Sequence, residues 1–469
     1  MRRFAPILLL AVLAASPVLG ADARPANGIW EGKLTGLQLV LHVERGADGR
    51  LIGTLDSPNQ NAMGMVIDTL TFAGDSLRFV MSRPRATYRA RLSADGSTLN
   101  GEWAQNGFTL ALAMKHYDKL PEPTRPQNPK PPFPYTSEDV VFPGGEPSLK
   151  LAGTITAPTT GGPFAAVVLL TGSGPQDRNE ALFGHKPFLV LADHLTRHGI
   201  AVLRMDDRGV GGSTGDSHAN SADFAKDALA GVEYLKTRKD IDPKRMGLIG
   251  HSEGGIIATI AGTTSRDVAF MVFMAGPGIS GDSLLLLQNA AVLRATGLGD
   301  SAAAPQIAAM RRVLKLVRQG ADSVAVFGAT RDMVAAQLAT LTPAQRASVG
   351  SPDSIAVPAA GIYRSSWMRF FIKFDPAPAL ATFKGPVLAI NGGRDVQVPP
   401  KENLPAIERA LKQGGNRDVT VRELPGLNHL FQHCASCLIS EYGTIEETIA
   451  PAALDTISTW ITARTTAKR

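Results

Sequence analysis

Gly250-His251-Ser252-Glu253-Gly254 is the stretch that most constrains what this chain can fold into. It lies between a short apolar strand, Met246 to Ile249, and a helix-like run, Gly255 to Ala261. A serine on so sharp a strand-to-helix turn crowds its neighbours against the backbone, so small residues are needed two positions either side of it. Gly250 and Gly254 meet that need. A lone Gly-x-Ser-x-Gly arises by chance in many long chains, and it is the strand-turn-helix setting that makes this one a nucleophile elbow.

A serine hydroxyl is hardly ionised at neutral pH. To attack a carbonyl it needs an adjacent imidazole, which takes its proton and later protonates the leaving group. Val419 to Leu424 reads as a strand by alternation and runs into Pro425-Gly426-Leu427-Asn428-His429-Leu430-Phe431, making His429 the base candidate. Val387-Leu388-Ala389-Ile390 reads as a buried parallel strand, and the loop beyond it, Asn391 to Pro400, carries Asp395. Asp395 is the acid candidate, holding the right tautomer of His429 and stabilising the imidazolium. A tetrahedral oxyanion needs backbone N–H donors. Glu253, next after the serine, supplies one. The other is assigned to Ser173, in the glycine-rich loop Thr171 to Arg178 that follows the apolar run Ala165 to Leu170. That loop lacks the Lys-Ser/Thr ending of a phosphate-binding P-loop.

From about residue 138 to 465 the chain resembles the α/β-hydrolase superfamily, in which serine, acid and histidine follow in this order. Within it, the chain is similar to bacterial exported esterases whose core is related to the serine aminopeptidases and prolyl oligopeptidase-type hydrolases. Arg204-Met205-Asp206-Asp207-Arg208-Gly209-Val210-Gly211-Gly212-Ser213 looks like that family's loop after the fourth strand, and Leu424 to Gln432 like its histidine loop. The resemblance implies an α/β fold with a mostly parallel sheet flanked by helices, and hydrolysis of carboxylic esters through an acyl-enzyme, with the substrate left open; our own expectation is a small-molecule ester of modest size. Such hydrolysis needs no cofactor and no metal.

The remaining chain divides by pattern. Arg2 and Arg3 precede an apolar stretch, Phe4 to Leu19, with small residues after it, as in a signal peptide cleaved after Gly20 or Ala23. The apolar stretch falls short of the ~20 residues of a spanning helix, so the segment 1–23 predicts a periplasmic or secreted protein. Residues 24–117 show period-two runs: Leu37, Leu39, Leu41 and Val43; Leu77, Phe79 and Met81; Phe108, Leu110, Leu112 and Met114. Turn signals at Asp48-Gly49, Gly74-Asp75 and Asp95-Gly96 separate them, predicting a small β-barrel or sandwich with Trp30 and Trp103 as paired core or end-plug residues. A proline-rich linker, 118–136, leads to the catalytic domain, 137–469. The roughly hundred residues between the strand at Val268–Met274 and Val387 exceed a plain connection. Their helical periodicity, as at Ile307, Met310, Leu314 and Val317, together with the resemblance, predicts a helical cap at about 277–383 over the serine. Tyr363, Trp367, Phe370 and Phe371 are spaced like one helix face, suited to cap-to-core packing.

The formal charge of +6 is spread without a basic run, which disfavours nucleic-acid binding. Cys434 and Cys437 suit a disulfide in an exported protein; a zinc site using them with His433 lacks a fourth ligand. His251 reads as a packing or helix-start residue, Glu253 as favouring the helix N-terminus, and His185, His194 and His198 as structural or surface residues. Asp206 and Asp207 are rival acids, with Arg208 a ready partner for either. A serine peptidase, a thioesterase or acyltransferase, and a carbohydrate- or lipid-binding protein carrying a vestigial hydrolase are the alternatives to an esterase. Oligomeric state is not legible.

Overall fold

The computed structural model describes residues 27–34, 37–46, 48–58, 62–82, 85–105, 108–120, 124–340, 346 and 351–466. The expected signal peptide, and Pro121 and Pro123 of the linker, lie outside them. The described residues form two sheets.

The first sheet contains β1 (Gly28–Leu34), β2 (Leu37–Arg45), β3 (Leu51–Ser57), β4 (Ala62–Val66), β5 (Thr69–Ala73), β6 (Ser76–Met81), β7 (Ala86–Leu92), β8 (Thr98–Gln105) and β9 (Phe108–Tyr117). They pair antiparallel in the order β4-β3-β2-β1-β9-β8-β7-β6-β5. Its two end strands are consecutive in sequence, and the Ile67 N–H between them donates to Gly53 O at 3.2 Å. One continuous sheet thus curls around a single core that includes Leu41, Leu55, Leu77, Phe79, Leu99 and Met114. This is barrel-like rather than a two-sheet sandwich. The three turn signals fall between β2 and β3, β5 and β6, and β7 and β8. On β9 the alternation outruns the core, since Phe108 and Leu110 are exposed while Leu112 and Met114 are buried. Both tryptophans are buried, yet each has its own partner: Trp30 meets His116 edge-on, and Trp103 meets Phe79.

The second sheet runs β10 (Tyr135–Pro143), β11 (Lys150–Pro158), β13 (Ile200–Met205), β12 (Phe164–Leu170), β14 (Ile241–His251), β15 (Phe270–Met274), β16 (Val387–Gly392) and β17 (Val419–Leu424). β10 and β11 are antiparallel additions, and the rest of the sheet is parallel. Parallel strands covered on both faces read as continuous apolar runs, and every residue of β12 is buried. Its alternate residues feed two cores. Ala166, Val168 and Leu170 join residues of α2 (Ser221–Lys236), α3 (Glu253–Thr264) and α10 (Pro400–Gln413). Val167 and Leu169 join α1 (Pro187–Arg197) and α11 (Pro451–Thr465).

Between β15 and β16 stand α4 (Gly281–Ala295), α5 (Asp300–Gln319), α6 (Ser323–Ala339), α7 (Pro352–Arg364), α8 (Ser366–Lys373) and α9 (Pro376–Leu380). They have a core of their own, in which Met310, Leu314 and Val317 pack with Val326, Met333 and Ile372. The expected single aromatic face is broken: Ser365 is extended and its hydroxyl accepts the Met368 N–H, which starts α8 afresh. Tyr363 therefore belongs to one helix, and Trp367, Phe370 and Phe371 to the next.

The linker is pinned to the hydrolase part. The Arg125 guanidinium donates to the carbonyls of Phe183, Gly184, Gly443 and Ile445. Gln127 pairs with the backbone of Thr448 and Ile449.

Arg208 corrects an expectation. Its partners are Asp227, at 2.7 and 2.9 Å, and Glu146, rather than Asp206 or Asp207, because its side chain turns toward α2. Asp227→Ala would leave a buried guanidinium without its fork partner. We expect a loss of about 3–5 kcal/mol of stability, read as a lowered urea midpoint.

Candidate active site

β14 ends in the elbow. Ser252 has φ 54°, a left-handed backbone rare in residues with a side chain, and it is fixed by its N–H to Met274 O at 2.9 Å. The steric case for its glycines is direct: a Cβ at Gly250 would stand 2.0 Å from Gly254 O, and one at Gly254 2.2 Å from Leu170 O. The turn admits neither.

Asp395 follows β16 in a loop closed by its own side chain, for Oδ1 accepts the N–H groups of Gln397 and Val398 at 2.7 and 2.9 Å. Oδ2 meets His429 Nδ1 at 2.7 Å, with both side chains buried. His429 follows β17 in a tight loop organised by Asn428, whose Oδ1 accepts the N–H groups of Leu430 and Gln432. Gly393 and Arg394 also donate backbone N–H groups to Leu424 and Leu427, so the two loops form one unit.

Ser252 and His429 open on one cavity of about 410 Å³, which Ser173 and Glu253 also line. No hydrogen bond joins Ser252 to His429 among the described residues, and such contacts commonly tighten when substrate binds. The Gly172 N–H donates to Glu180 Oε1 at 2.7 Å, whereas the Ser173 and Glu253 amides have no partner among the described residues. Much of the lining is apolar, with Leu284 and Leu285 of α4, Trp367 and Phe371 of α8, and Leu182 and Phe183 from the loop before α1. Trp367 and Phe371 thus reach the cavity itself, beyond the packing role their spacing suggested, while Tyr363 packs inside the cap.

The rival acids lie elsewhere. Asp206 is clasped by Arg178 Nε and Nη2 at 3.0 and 2.7 Å. Asp207 accepts from Thr171 Oγ1 and the Gln176 N–H, and burial, against those two bonds, pushes its carboxyl up to about 7. Cys434 and Cys437 form a disulfide, and His433 pairs with Glu447, so this loop is a covalent staple rather than a zinc site. Arg394 ties it to the Asp395 loop through the carbonyls of Cys434 and Ala435.

Two features had no sequence signal. Glu180 is buried against the cavity with its Oε1 on His251 Nδ1 at 2.8 Å, and His251 Nε2 reaches the His429 carbonyl at 3.1 Å. Glu253, besides opening α3, accepts from Ser221 Oγ at 2.6 Å and from the Trp367 indole N–H at 2.8 Å, which joins the cap to the elbow. Both sets pair residues far apart in the chain.

A family model described as serine aminopeptidase, S33, matches residues 186–347. The match takes in the elbow and much of the cap, and ends before Asp395 and His429. Esterase EstD of Thermotoga maritima is 27% identical over 335 residues, which cover 71% of this chain and 68% of that protein. This chain is an α/β-hydrolase. The α/β-hydrolase is also 30% identical over 132 residues to an uncharacterized protein of Mycobacterium tuberculosis, over 27% of this chain and 43% of that one. A solved esterase structure from Pyrococcus furiosus has a TM-score of 0.44 at 17% identity, covering 71% of this chain and 92% of that one.

In this α/β-hydrolase, His185 braces the cavity rim through Tyr442 O and Thr448 Oγ1. Burial, with the nearby Arg125 charge, lowers its pKa to about 4. The unfolded chain, titrating near the ordinary value of about 6.5, then binds the extra proton first. Its contribution is therefore full above about pH 6.5 and lost as pH falls toward 4. We expect the urea midpoint to drop across that window, with a shallower drop in His185→Gln.

Proposed function

We propose that this α/β-hydrolase is a serine carboxylesterase acting on esters of modest size. Ser252 Oγ attacks the ester carbonyl while His429 Nε2 takes its proton. Asp395 keeps the proton on Nδ1 and stabilises the imidazolium. The Ser173 and Glu253 amides hold the oxyanion. The imidazolium then protonates the departing alcohol, and a water activated by the same base releases the acid. The observation that carries this reading is the buried His429–Asp395 pair, 2.7 Å apart, on the cavity that Ser252 and two unengaged amides share.

The carboxylates of the cavity wall support an ester rather than an aminoacyl substrate. Glu253 is taken by Ser221 and Trp367, and Glu180 by Gly172 and His251. Glu180 Oε2 has no partner, yet it is sealed from solvent. No carboxylate among the described lining residues is thus open to an α-amino group. The mainly apolar wall favours an acyl chain, and Gln176, Gln288 and Gln397 offer amide groups to a more polar end. We also propose an exported location, supported by the leader-like N-terminus and by the Cys434–Cys437 disulfide, which persists in an oxidising compartment. Among the described residues no helix is long and apolar enough to cross a membrane.

Purified protein is expected to release nitrophenol from short-chain acyl esters. Ser252→Ala should lower kcat by at least about 1,000-fold, and Asp395→Asn by about 10,000-fold, with Asp206→Asn far milder. Cleavage of aminoacyl amides without ester turnover would establish the peptidase reading instead. A fluorophosphonate that leaves the native protein unlabelled would point to a non-catalytic binding protein.

A further inference from the structure

We infer that Glu180 and His251 are positioning residues for this hydrolysis, a buried carboxylate–imidazole bridge that locks the Ser173 loop and the His429 loop onto the nucleophile elbow. The inference rests on the serine-hydrolase reading of the site.

The hydrogen bonds dictate where the protons are. A backbone carbonyl can only accept, so His251 Nε2, 3.1 Å from the His429 carbonyl, carries a hydrogen. A second proton lies between His251 Nδ1 and Glu180 Oε1, which are 2.8 Å apart. Whichever atom holds it, the pair is neutral as a whole and all three elements stay joined. Burial alone would lower the His251 pKa, but Glu180, the His429 carbonyl and Asp395 together more than offset it and the value is raised, which favours the carboxylate–imidazolium form. Asp395 adds to the negative field at His251, and Glu180 is one of the charges that help to raise the Asp207 carboxyl.

The bridge acts on both halves of the machinery. On one side, the Gly172 N–H is spent on Glu180 Oε1 at 2.7 Å, which fixes the Thr171–Gly172 peptide, one residue before the Ser173 amide, and the Ser173 N–H beside the cavity stays unengaged among the described residues. On the other, the His429 backbone is anchored through its carbonyl, as its ring is through Asp395, and the two imidazole rings lie 4.9 Å apart. Glu180 adopts φ 51°, in the left-handed region that side-chain-bearing residues seldom enter. It also buries an oxygen without a partner. A conformation so unfavourable, on a buried charged group, contributes poorly to stability and is better explained by what it positions.

The test uses the full chain carrying His251→Gln, Glu180→Gln and both together, with Ser252→Ala alongside. Active sites are titrated with a fluorophosphonate and rates expressed per active site. His251→Gln leaves the Glu180 carboxylate unbalanced beside the forming oxyanion. Its kcat should fall at least tenfold with KM within threefold, and fluorophosphonate labelling should slow in step. Glu180→Gln should lose less. The double variant, free of both charges, should recover several-fold over His251→Gln in kcat per active site, a coupling in rate that residues acting on stability alone would not show. Wild-type kcat per active site in His251→Gln, or losses that simply add in the double variant, would overturn the inference. If His251→Gln does not fold, Glu180→Gln decides: wild-type kcat and labelling rate reject the bridge, and a fall in both at unchanged KM supports it. Undiminished turnover in Ser252→Ala would instead overturn the serine reading on which the inference stands.

Discussion

Everything at this site depends on how closely three backbones approach one another beneath Ser252. The carbonyl of Leu170 at the end of β12 and the carbonyl of Gly254 in the first turn of α3 each stand where a Cβ on the facing glycine would have to go. Because the elbow is so compressed, the serine projects above the C-terminal edge of the sheet and its following amide is left at the head of a helix. The neighbouring parallel strands then deliver their loops to the same edge. Crevices outside the carboxyl ends of parallel strands are where such sheets collect ligands, and here the loops after β12, β16 and β17 all converge on it.

The parts of this design legible in the sequence are those governed by local rules. β17 falls where alternation put it, β12 and β16 where continuous apolar runs put them, and the elbow where paired glycines required it. Side-chain direction is harder to read. Asp206, Asp207 and Arg208 are adjacent in sequence, yet they point to Arg178, to Thr171 and to Asp227 respectively, because they leave β13 in a loop that turns at Arg208 and so lack any regular period. Proximity along the chain was therefore a poor guide to Arg208's partner. The aromatic run near the end of the cap kept helical spacing across Ser365, so periodicity alone gave no sign of the break. Glu180 was invisible for another reason: a lone acid in a polar loop has no pattern, and its importance comes from a histidine 71 positions away.

The cap and the core are joined by polar contacts as well as by packing. Trp367 spans the boundary, with its ring on the cavity wall and its N–H on the carboxylate of Glu253, the residue whose amide faces the same cavity. A cap fastened at that point shapes the cavity and the head of α3 together. Changes in the cap sequence would then adjust the head of α3 as well as the shape of the cavity.

Arg125 gives the interdomain segment a meaning beyond spacing. By gathering carbonyls from Phe183, Gly184, Gly443 and Ile445, it stitches together two loops whose neighbours Phe183 and Tyr442 meet edge to face at the cavity rim. The natural place to divide the protein by composition, the proline-rich stretch, is thus the wrong place to cut it by function. A minimal hydrolase begun at β10 would keep every residue assigned to the chemistry and still lose the brace that holds one side of its doorway. The catalytic unit, as a physical object, starts upstream of its own sheet.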